Sequence, residues 1–70
     1  MTKDQQLGAM ARRIAAQIAA AIDTRFPGQS PATTTIDTAG VLAAAVHFTI
    51  EQMPEDKRAA VRAVVAEVLR

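Results

Sequence analysis

Residues 7–28, LGAMARRIAAQIAAAIDTRFPG, set the architecture of the chain. Leu7, Met10, Ala11, Ile14, Ile18, Ile22 and Phe26 recur at intervals of three and four, the spacing that keeps side chains on one side of an α-helix. At about 100° per residue, Leu7, Ala11, Ile14, Ile18 and Ile22 share a face, while Arg12, Arg13, Ala16, Ala20 and Asp23 lie opposite. Ala9, Ala16 and Ala20 would let a second helix approach closely. Alanine is also the strongest helix former, however, and Arg12, Arg13 and Asp23 occupy the same side, so that side reads as a wet face. Pro27 and Gly28 end the helix.

The next stretch, PGQSPATTT, reads as a loop because it carries two prolines and a glycine. Thr34, followed three residues later by Asp37, has the form of a capping box and predicts a second helix over residues 35–53. From Val41 to Met53 the chain is nearly continuously apolar. Pro54 closes this run, because the residue before a proline resists the helical conformation. Pro54 is in turn suited to open a third helix over residues 54–69, with Glu55 and Asp56 at the positive end of its dipole. Val61, Val64, Val65, Val68 and Leu69 make its apolar stripe. Four of these are valines, which lose side-chain freedom in a helix, so this element depends on tertiary packing.

With the first helix predicted over residues 5–26, the expected fold is all-α. It is a single three-helix domain spanning residues 1–70, without repeats. The predicted core is Leu7, Ile14, Ile18, Ile22, Leu42, Val46, Ile50, Val61, Val64, Val65 and Val68. An alternative reading makes Thr33, Thr34, Thr35 and Ile36 a short strand ahead of two helices, as in ribbon-helix-helix regulators.

The core implied by this pattern is thin. Half of the 70 residues are apolar, but 16 of them are alanine, which leaves 19 larger apolar side chains. Domains of this size usually need a disulfide, a metal or a partner subunit. There is no cysteine, so association with another chain becomes the expectation. The formal net charge of +1 gives no field that would select nucleic acid, an anionic membrane or an acidic substrate. No apolar run approaches the ~18 residues of a membrane span, and no leader-like segment opens the chain, so a soluble cytoplasmic protein is expected.

Chemistry-bearing residues are few. No phosphate loop, cysteine pair, nucleophile elbow or HExxH motif is present. A Ser–His–Asp arrangement would have to draw on Ser30 and His47, which no spacing connects, so no enzyme, cofactor or catalytic residue is predicted. His47 and Glu51 stand four apart on one helix face. Two ligands do not make a metal site, and the pair reads as a solvent stripe.

The second helix is more informative as a surface. Leu42, Val46, Ile50 and Met53 form one apolar face, and Val41, Ala45 and Phe48 a second, with His47 and Glu51 between them on one side. This predicts a homodimer with an interface built from Val41, Ala45, Phe48 and His47. By elimination, the expected function is a small non-enzymatic protein–protein interaction module. It would be a regulator, an assembly factor or an inhibitor of the kind that phage and mobile elements encode, acting on a larger protein across about 800 Å². The alternative is a dimeric DNA-binding regulator gripping phosphates with Arg12, Arg13, Arg58 and Arg62. Two points weigh against it. Glu55, Asp56 and Glu67 share the third helix with two of those arginines, and only Phe26 and Phe48 could stack on bases.

Overall fold

A computed structural model describes all residues, Met1–Arg70. The chain forms α1 (Lys3–Arg25), α2 (Pro31–Glu51) and α3 (Glu55–Val68), with no strand. The all-α three-helix expectation holds, and residues 33–36 lie within α2.

α1 begins two residues earlier than its apolar spacing implies, because Thr2 and Gln5 form a capping box. The Thr2 hydroxyl accepts from the Gln5 amide at 3.1 Å and the Gln5 side chain accepts from the Thr2 amide at 2.9 Å, which satisfies two otherwise unpaired donors. α1 ends at Phe26. Gly28 follows with φ of +87°, a left-handed conformation that a side chain would strain, and this turns the chain toward α2.

The predicted loop over residues 31–34 and the predicted Thr34/Asp37 capping box are both incorrect. Ser30 is the N-cap, its hydroxyl accepting from the Thr33 amide at 3.2 Å, and Pro31 occupies the first turn, where its missing N–H costs nothing. Of the threonines that suggested a loop or strand, Thr33 pairs with the Ser30 hydroxyl and Thr35 bonds back along the helix, as does Thr38 one turn on. Thr35 donates to the Pro31 carbonyl at 2.9 Å, and Thr38 to the Thr34 carbonyl at 2.7 Å. At the other end Pro54 is the N-cap of α3 rather than its first residue, and Glu55 and Asp56 sit in the first turn as expected.

α2 packs against α1 on one side and α3 on the other, but no Cα of α1 comes within 8 Å of one in α3. The three helices therefore do not close around a common centre. The predicted core is correspondingly incomplete. Ile22 and Ile50 are buried, whereas Ile18, Leu42, Val61 and Val65 are half-buried. Leu7, Ile14, Val46, Val64 and Val68 are exposed. Along α1 burial fades with distance from the loop, from 9% exposure at Ile22 to 44% at Ile14 and 49% at Leu7.

The loop end of the α1–α2 pair is held by polar contacts. Thr34 and Thr38 are both buried, and the Thr34 hydroxyl donates to Asp23 Oδ1 of α1 at 2.7 Å. Gln29 donates through Nε2 to Asp37 Oδ2 at 3.1 Å. Thr34→Val keeps the volume of the side chain and removes the inter-helix bond. It is expected to destabilise the chain by about 1 kcal/mol, a fall in Tm of roughly 4–8 °C for a chain this small. Thr35→Val, which removes only a local bond on an exposed residue, should stay within about 0.5 kcal/mol of wild type in the same thermal melt.

Candidate interaction surface

Because α1 and α3 stand apart, α2 forms the floor of an apolar groove between them. Ile14 of α1, Leu42, Ala45, Val46, Thr49 and Ile50 of α2, and Val61 and Val65 of α3 line a space of about 360 Å³. It continues along α2 into a second space of about 420 Å³, bordered by Ala39, Leu42, Ala43, Val46 and Leu69. No ionisable side chain lines either space. Leu7 and Met10 extend the Ile14 stripe on α1, while Val64 and Val68 extend the Val61–Val65 stripe on α3, and all four are exposed.

The opposite flank of the hairpin is mixed in character. One hollow there is lined by Ile22, Phe26, Ile36, Val41 and Ala44 together with Gln29 and Asp37. A neighbouring one joins Ile18 and Val41 to Thr24 and Arg25. Of the residues predicted to form an interface, Val41 and Phe48 are exposed at 46% and 64%. Ala45 instead lines the groove with Ile14. His47 is exposed, with Nε2 3.0 Å from Glu51 Oε1 and its ring edge-on to Phe48 at 6.4 Å between centroids.

Among the arginines considered for nucleic acid, Arg58 has a structural partner. Its Nε donates to the Met53 carbonyl and one terminal nitrogen to the Glu51 carbonyl, both at 3.2 Å. A guanidinium at the carbonyl end of α2 satisfies acceptors that the helix leaves open and opposes its dipole. Nothing in the sequence marked this role, since α2 has no basic residue in its own last turn and the contact crosses the Pro54 turn. Arg12, Arg13 and Arg62 are exposed on α1 and α3.

Ser30 and His47 lie at opposite ends of α2, roughly 25 Å apart at 1.5 Å per residue. The Ser30 hydroxyl is engaged in capping and lies 2.9 Å from the Thr33 hydroxyl. No group of three or more His, Cys, Asp or Glu side chains is arranged to hold a metal ion. No helix is long and apolar enough to cross a membrane. Comparison with family models, with curated proteins and with solved structures gave no match.

Arg58→Met retains the aliphatic stem and removes both carbonyl contacts. It is expected to cost about 1 kcal/mol and to speed amide exchange across the α2–α3 junction, whereas Arg62→Met should leave both unchanged. His47→Gln removes an exposed i, i+4 pair, so the melting curve should shift by no more than about 0.5 kcal/mol in stability.

Proposed function

We propose that the protein is a non-enzymatic protein–protein interaction module whose working form is a homodimer. In this reading it acts in the cytoplasm as a small regulator, inhibitor or assembly factor by occupying a surface of a larger protein. The observation that supports the reading is the amount of surface that one chain leaves in water. A folded monomer of 7.4 kDa is expected to expose about 4,200 Å². This chain exposes 5809 Å² and buries only 4 of its 70 residues. The Cα radius of gyration is 14.3 Å, against about 11 Å for a closed domain of this length.

Twelve large apolar side chains are exposed, and many of them adjoin one another along the helix stripes rather than being scattered. Contiguous patches of this kind are uncommon on proteins that function as monomers and mark association sites. With a net charge of +1, two copies approach each other with little electrostatic cost.

Sedimentation at micromolar concentration should give a species of about 15 kDa that reverts to 7.4 kDa on dilution, since a two-fold dimer is the simplest closed assembly. Its association constant should change little between low and high salt, as burial of apolar surface implies. A stable monomer across that range, or tight salt-sensitive binding to duplex DNA, would overturn the proposal.

A further inference from the structure

We infer that a second copy of this chain docks in the α1–α3 groove, and that the Val41/Phe48 flank stays outside the dimer. The inference rests on the homodimer reading above and specifies its seam. Three observations select the groove.

The first is desolvation. Every residue lining the groove is apolar except Thr49, whose hydroxyl already donates to the Ala45 carbonyl at 2.7 Å. Closing the groove therefore strands no charge and no unpaired polar group. Covering the opposite flank would desolvate Asp37 and Arg25 next to Val41, and the His47–Glu51 pair beside Phe48.

The second is area. The excess exposure is roughly 1,600 Å² per chain, or roughly 3,200 Å² for a pair, within the range of obligate dimers. A single small contact would leave most of that excess in place. Burying the groove together with the Leu7, Met10, Val64, Val68 and Leu69 stripes that extend it would remove a large part.

The third is shape. The groove is concave, and beside it the C-terminal half of α3 carries Val64 and Val68, exposed at 63% and 77%. Hollow and ridge adjoin on the same chain, an arrangement in which a two-fold operation can set each ridge over the hollow of the other copy. This is the self-complementarity that an isologous interface requires. Ala39 and Ala43, facing the hollow from α2, leave room for that ridge.

The test uses the cysteine-free wild type and single variants. By sedimentation, Ala43→Glu and Val68→Glu, each adding a charge at an exposed position, are expected to weaken dimerisation at least about 100-fold. Phe48→Asp is expected to change it by less than about threefold. Because a charged variant can also lose its fold, Val68→Cys and Phe48→Cys are labelled with a small maleimide above and below the dimer dissociation constant. The first should react at least about tenfold more slowly in the dimer than in the diluted chain, and the second equally fast in both. A dimer that protects Phe48→Cys, or neither cysteine, overturns the seam while leaving the homodimer reading intact. A wild-type chain that remains monomeric overturns the homodimer reading itself.

Discussion

Three helices enclose a core only when each touches the other two, and here α2 alone touches both neighbours. The gap between α1 and α3 follows from the side chains available to fill it. α1 presents half-buried Ala15 and Ala19 alongside its half-buried Ile18 and its buried Ile22. The two arms are thus drawn onto α2 but not onto each other, and the apolar stripes of both remain in water. A larger set of aromatic or leucine side chains would have spanned the space. Two phenylalanines and three leucines do not, and both phenylalanines are exposed.

The geometry of the α1–α2 pair is set at one end. Two of the four buried residues are threonines, and one of them bonds Asp23 across the helix–helix contact. A buried hydroxyl must find a partner, and its partner's position is fixed by direction as well as distance, so such contacts define register more sharply than aliphatic packing does. Moving away from the loop, the contact relies on aliphatic side chains and burial along α1 declines. The open end of α1, at Leu7 and Met10, is the part that contacts within the chain determine least.

The helical periodicity of α1 and α3 was legible in the sequence because isoleucine and valine repeat with the helical spacing over several turns. The start of α2 was not. Ser30–Pro31 is a helix start, yet the same pair also begins many turns. The hydroxyls of the three threonines that follow find partners within the hairpin, Thr33 at the Ser30 hydroxyl, Thr34 at Asp23 and Thr35 at the Pro31 carbonyl. The capping pattern of Thr34 and Asp37 was a coincidence of spacing, and both side chains serve the hairpin tip instead. Which apolar faces would be covered was also illegible, because a stripe such as Val61, Val64, Val65 and Val68 looks the same whether it packs within a chain or between chains. Only the placement of α3 separates half-buried Val61 and Val65 from exposed Val64 and Val68. Arg58 escaped recognition because the carbonyls that it caps belong to the preceding helix, across a turn.

α3 makes folding and association difficult to separate. It spans 14 residues, near the length at which isolated helices are marginal in water, and its N-cap, Pro54, offers no side-chain acceptor. Its valines lower its propensity further. Within the chain it is held by the Arg58 contacts to the end of α2 and by the half-burial of Val61 and Val65. Any partner that covers Val64, Val68 and Leu69 therefore supplies packing that the helix lacks, and its binding energy is partly the energy of ordering α3. The stripe that α3 leaves exposed is thus also the part of the chain that the monomer packs least.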